Sequence, residues 1–166
     1  MGNNLVKHQL SFTEESLSRA ANEIRVFLNG VTLDSLAYDR DQSLNVEHIE
    51  PLLDELRRLL VYCDEGGESC KIILSGETFR KAAAEKTLYW IFHQCIEEFF
   101  QPRLDAWYED SRAAYTGKNA IKFRNRVPKA IETLMANLEG PMQQMREELE
   151  YYETDYHTKV IHSERK

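Results

Sequence analysis

Between Ser111 and Ala130 the chain carries six basic residues and no acidic one, with three aromatic rings among or beside them. Arg112, Lys118, Lys122, Arg124, Arg126 and Lys129 could neutralise phosphates, and Trp107, Tyr115 and Phe123 could stack on bases, as in proteins that hold single-stranded nucleic acid. The rest of the sequence argues the other way. Net charge is −7, and outside this stretch 15 of the 21 basic residues face all 28 acidic ones. A field of that sign opposes the long-range attraction of a polyanion. Pairing of the basic segment with the chain's own carboxylates, or with an acidic patch on a second copy, is therefore the favoured expectation. Nucleic-acid or phosphorylated-ligand binding is the alternative. The acidic, tyrosine-rich run Glu147–Tyr156 has the sign to meet the basic segment, within one chain or across a two-fold axis.

Other constellations are weaker. A di-metal carboxylate bundle needs Glu-x-x-His motifs projecting inward, and none of the five histidines has a glutamate three residues before it. Glu153 and His157, four apart on a charged segment, read as a solvated pair. Cys63, Cys70 and Cys95 match no zinc spacing and read as small buried side chains, with Cys95 in an apolar stripe. Gly117-Lys118-Asn119 invites comparison with a phosphate loop, but the loop's first glycine is missing and a hairpin turn fits better. If distant residues converge to do chemistry, His93, Tyr108, Asp110 and Arg112 are the place to look. No catalytic residue, metal or cofactor is assigned, and a non-enzymatic role is favoured.

The elements that would position these groups are mostly helices. Val6, Leu10, Thr13, Leu17, Ala20, Ile24 and Phe27 alternate four and three apart, which keeps them on one helical face ending at Asn29-Gly30. Ser11-Phe12-Thr13-Glu14 also matches a capping box, so the helix starts either before it or there, with the first ten residues as an arm. A second stripe, Ile49 to Leu60, follows a cap at Asn45, with Pro51 near its start, and ends at the turn-forming Asp64-Glu65-Gly66-Gly67. Cys70 to Leu74 reads as a strand, and Ser75 caps a third, deeply buried helix that Pro102 stops. From Leu104 to Phe123 isolated apolar residues among polar ones predict two strands joined by a turn at Thr116–Asn119. A last helix starts at Val127-Pro128 and should break or bend at Gly140-Pro141.

The expected architecture is thus mainly α (α+β): a bundle of four to five helices with a small antiparallel β-sheet of two to three strands. Residues 1–166 are expected to form a single helical domain, with residues 104–124 as a β-hairpin insert. The 166 residues suffice to bury a core, every apolar run is shorter than the ~18 residues of a membrane span, and no secretory or lipidation signal is readable. Three cysteines in a chain of this size point to a reducing, cytoplasmic setting. Trp107-Tyr108-Glu109-Asp110-Ser111-Arg112, Tyr115-Thr116-Gly117-Lys118-Asn119 and Met145–Tyr156 carry a resemblance to the YpuI-like proteins of Gram-positive spore-forming bacteria, an uncharacterised family. That resemblance implies a bacterial cytoplasmic protein and brings no activity, cofactor or catalytic residue with it. The functional expectation is a cytoplasmic interaction or regulatory module with a protein partner or a second copy, such as a homodimer, and no membrane.

Overall fold

A computed structural model gives the fold and describes residues 2–39, 42–114 and 119–164. Helix α1 (Asn3–Gly30) is continuous, so Ser11 lies inside it and the first residues are not a separate arm. Its stripe, Val6, Leu10, Thr13, Leu17, Ala20 and Ile24, is buried. A short helix α2 (Leu33–Ala37) follows, closed by a reciprocal Thr32–Ser35 capping box. Strands β1 (Tyr38–Asp39) and β2 (Gln42–Ser43) then pair antiparallel.

Helix α3 (Val46–Leu74) starts where expected, with the Asn45 side chain accepting the Glu47 N–H at 3.0 Å. It does not stop at Gly66-Gly67, and Cys70–Leu74 is its last turn, not a strand. Leu59, Cys63, Gly66, Cys70 and Ile73 stand four and three apart and are all buried, so the apolar stripe simply continues through the glycines. Glu14 pairs with Lys71 and Arg25 with Asp64, which sets α1 and α3 antiparallel. A Cβ built on Gly66 would lie 2.9 Å from Leu17 Cδ1 and 3.1 Å from Ile91 Cγ1. Of the two residues read as breakers, Gly66 leaves no room for a Cβ, and Gly67 packs against Leu17 and Ser18 of α1.

Ser75 terminates α3, its hydroxyl donating to the Ile72 carbonyl at 3.0 Å, and does not cap the next helix. Helix α4 (Lys81–Ile91) begins six residues later and runs through a π-helical turn, Phe92–Ile96, into α5 (Glu97–Phe100). Beyond Pro102 the chain returns so that the buried Trp107 indole N–H donates to the Phe99 carbonyl at 2.6 Å, satisfying a group at the helix end. Strands β3 (Tyr108–Glu109) and β4 (Ile121–Lys122) pair antiparallel, Tyr108 opposite Lys122 and Glu109 opposite Ile121, with α6 (Ser111–Ala114) between them. Residues 70–75 take no part in either sheet. The expected turn at 116–119 lies largely outside the described residues.

Helix α7 (Lys129–Glu148) follows Pro128 and passes through Gly140-Pro141 without the expected break. A residue before proline is normally kept from helical geometry by a clash of its Cβ with the proline ring, and Gly140 has no Cβ. Gly140 and Pro141 are also exposed, so water can reach the backbone there. The helix ends instead at Leu149, in a 3₁₀ turn Glu150–Tyr152 leading to α8 (Asp155–Glu164). Tyr152 is buried; its hydroxyl donates to Gln9 Oε1 at 3.1 Å, and the Gln9 amide donates to the Glu148 carbonyl at 3.3 Å. The chain is mainly helical, with small two-stranded antiparallel pairings and one continuous apolar cluster. Among the described residues no helix is long and apolar enough to cross a membrane.

Gly66→Val should lower unfolding free energy by about 1–3 kcal/mol, since two further methyl groups must displace Leu17 and Ile91 in a packed core. Urea denaturation measures it, and an unchanged midpoint would remove the close-approach explanation.

Candidate functional site

The basic segment emerges from β4, crosses the start of α7 and leaves a groove between them of about 620 Å³. Its polar lining includes Lys122, Asn125 and Arg126 on one side and Lys129, Glu132 and Asn137 on α7, with Phe123, Ile121, Val127 and Met135 among the apolar groups and Glu139 also present. Along β4 Ile121 is buried and Lys122 half-buried, both lining the groove, and Val127 anchors the connection in the core.

Two contacts from α7 hold this hairpin. Glu139 is 5% exposed, and its Oε1 accepts the N–H of Ala120 at 3.0 Å and of Ile121 at 3.2 Å. One turn-multiple further on, Arg146 grips Glu109 with two bonds of 2.9 and 2.7 Å and lies 3.6 Å from the centre of the Phe100 ring. The groove therefore has a fixed wall on the hairpin side and a helix on the other.

The sequence-predicted residues divide. Lys122, Arg126, Lys129 and Phe123 line the groove together. Arg124 points elsewhere: it pairs with Asp105 at 2.8 Å and lies 5.1 Å from the centre of the Tyr108 ring. Arg112 is exposed on α6, where its backbone N–H donates to Asp110. Trp107 is a core residue with 1% exposure, which leaves it no face for a base. Tyr115 and Lys118 lie outside the described residues. Lys129 Nζ is 3.7 Å from Glu132, so part of the cationic charge is met within the groove itself. Asn137, Glu132 and Glu139 had no sequence signal beyond lying on the polar flank of a helix.

The other candidates resolve into structural roles. His93 does not meet Tyr108, Asp110 or Arg112 in one site; its ring nitrogens contact Glu97 Oε1 at 2.9 Å and the Tyr152 carbonyl at 3.0 Å, tying the π-helical turn to the 3₁₀ turn. Glu153 and His157 are exposed, and the His157 ring stacks on Tyr89. Cys63, Cys70 and Cys95 are buried free thiols. The Cys95 thiol is held well above its ordinary range by its hydrogen bond with Cys63 and by burial, and burial pushes Cys70 up to about 12. Thiolate chemistry is suppressed at both.

A buried carboxyl pair lies apart from the groove. Glu55 on α3 is fully buried, and among the described residues no N–H or O–H reaches either of its oxygens. Glu98 on α5, beside it, accepts the Arg103 N–H and faces the guanidinium groups of Arg103 at 3.5 Å and Arg58 at 3.8 Å. Burial first, then the neighbouring Glu98 carboxyl, push the Glu55 carboxyl up from 4.5 to about 8, against the pull of Arg58 and Arg103.

Among known proteins, residues 10–158 match the family described as Protein of unknown function (DUF3907). The chain is 44% identical over 153 residues to the uncharacterized protein YpuI of Bacillus subtilis (strain 168), covering 92% of this chain and 84% of that one. No solved structure matches.

Two outcomes test this anatomy. Glu139→Ala should cost about 1–3 kcal/mol and accelerate hydrogen exchange at Ala120 and Ile121, because their N–H groups lose a buried acceptor; unchanged exchange would refute the anchoring role. For Glu55, a folded-state value above the unfolded one makes its contribution full below about 4.5 and lost as pH climbs to about 8. Glu55→Gln, which never ionises, should therefore gain on the wild type in urea between about pH 5 and about pH 8, and parallel pH profiles would exclude the raised Glu55 carboxyl.

Proposed function

We propose that this chain, which belongs to the DUF3907 family, is a non-enzymatic, cytoplasmic interaction or regulatory module that receives an anionic group in the groove between β4 and α7. One observation carries the reading: Lys122, Arg126 and Lys129 meet around a single concavity, in a chain whose remaining charge is strongly acidic. Positive groups gathered against low-dielectric walls focus their field into the cleft, so a short-range site can hold an anion that the whole protein does not attract from afar. Amide side chains beside the cations supply directional donors. Cations, amides and a phenyl ring suit binding; the groove's lining includes no histidine, cysteine or serine among the described residues.

We also take residues 1–166 as one helical domain, a bundle of four to five helices with residues 104–124 as an inserted hairpin. The continuous core supports this, since it draws on α1, α3, the α4–α5 rod and α7 alike. The anionic group belongs in this reading to a protein partner, a second copy or a small phosphorylated molecule.

Pyrophosphate titration followed by amide chemical shifts tests the site. Shifts should cluster on residues 119–137, and Lys122→Ala with Arg126→Ala should weaken binding by at least about tenfold, equivalent to about 1.4 kcal/mol. Arg124→Ala, already committed to Asp105, should leave it unchanged. Equal binding by the double variant would overturn the proposal.

A further inference from the structure

The groove's chemistry goes beyond an anion site, and we infer that it takes a single phosphorylated nucleotide, phosphate on the cations and base against Phe123. This rests on the anion-binding reading above and narrows it to one ligand class.

Size comes first. At about 620 Å³ the groove falls within the range of small-molecule sites, roughly 300–1,000 Å³. A nucleic-acid strand needs a track of cations and successive stacking rings. Neither is assembled here among the described residues. Arg124 is turned to Asp105 and Tyr108, Trp107 is in the core, and among the described residues Phe123 is the ring named from the sequence that lines the groove.

The polar groups then distinguish a nucleotide from a bare phosphate. Lys122 and Arg126 on one side and Lys129 on the other can meet a phosphate. Glu132 stands beside Lys129, and its carboxylate repels a bare polyphosphate but accepts hydrogen bonds from sugar hydroxyls or an exocyclic amine. Asn125 and Asn137 each offer a paired donor and acceptor, the pattern that reads the edge of a base. Glu139 is not available for this, because its Oε1 already holds two backbone N–H groups and the wall they belong to. The mixture of cations, amides, carboxylates and an aromatic ring would be redundant for phosphate alone.

The experiment is a calorimetric titration of the full chain with four probes: a nucleoside monophosphate from each of the common bases, the unphosphorylated nucleosides, inorganic pyrophosphate, and a single-stranded oligothymidine. At least one nucleoside monophosphate should bind at least about tenfold more tightly than its nucleoside and than pyrophosphate. Phe123→Leu, which keeps apolar bulk but removes the stacking face, should weaken that nucleotide by about five- to tenfold and leave pyrophosphate unmoved. Circular dichroism confirms that the variant folds, and Asn137→Ala, at an exposed helical position, gives an independent test through the same nucleotide loss. If pyrophosphate binds as well as every nucleotide and neither variant discriminates, the nucleotide inference fails while the anion site stands. If the oligonucleotide binds more tightly than any mononucleotide, with a salt dependence of several charges, the inference fails in favour of a strand. Binding of none of the probes overturns both readings.

Discussion

Gly66 has no side chain, and Leu17 and Ile91 fill the space where one would be. That close approach seats α1 against α3 and brings the α4–α5 rod onto the same point, so three elements share one contact. Burial of the stripes on either side follows from it, because apolar side chains four and three apart face inward only while the two axes stay near and antiparallel. The cysteines fit the same constraint. Cys63, Cys70 and Cys95 are small buried side chains, Cys95 Sγ lies 3.5 Å from where a Gly66 Cβ would stand, and burial helps push the Cys70 and Cys95 thiols up.

Away from that seam, polar contacts decide where the ends of the helices go. The Gln9–Tyr152 bond and the His93 contact to the Tyr152 carbonyl fold the C-terminal turn back onto α1 and the π-helical turn. Glu139 and Arg146 do the same for the β3–β4 hairpin, which is too short to be stable alone. Helix α7 thus both supports the hairpin and supplies the facing side of the groove. Passage of α7 through Pro141 matters here, since a kink at Gly140 would separate Glu139 from Arg146 and slacken one of the two anchors.

Much of the helical pattern was legible because a four–three stripe has one interpretation over twenty residues. The errors fell where a local rule met a tertiary one. Gly66-Gly67 reads as a turn by residue preference, yet an absent side chain is also what lets helices touch, and only the partner helix tells the two apart. Cys70–Leu74 then became a strand by default, cut off from the stripe to which it belongs. Trp107 looked exposed because its sequence neighbours are polar, while its partner, the Phe99 carbonyl, is a helix end that no pattern announces. At the site, the basic half was visible as composition, whereas Asn137, Glu132 and Glu139 were indistinguishable from an ordinary solvated helix flank.

The charge asymmetry takes on a different meaning in the fold. Taken as a linear stretch, six cations suggest a polyanion track opposed by a net charge of −7. In the fold Arg124 pairs with Asp105 beside the Tyr108 ring, while Lys122, Arg126 and Lys129 line one groove. A long polymer must approach through the field of the whole molecule, which here is repulsive, and an ordinary salt concentration does little for contacts inside a Debye length of ~8 Å. A ligand small enough to enter the groove experiences chiefly the local field. On the proposed reading, the acidic surface that disfavours a strand would leave size, the amides and Phe123 to discriminate among the small anions that fit the groove.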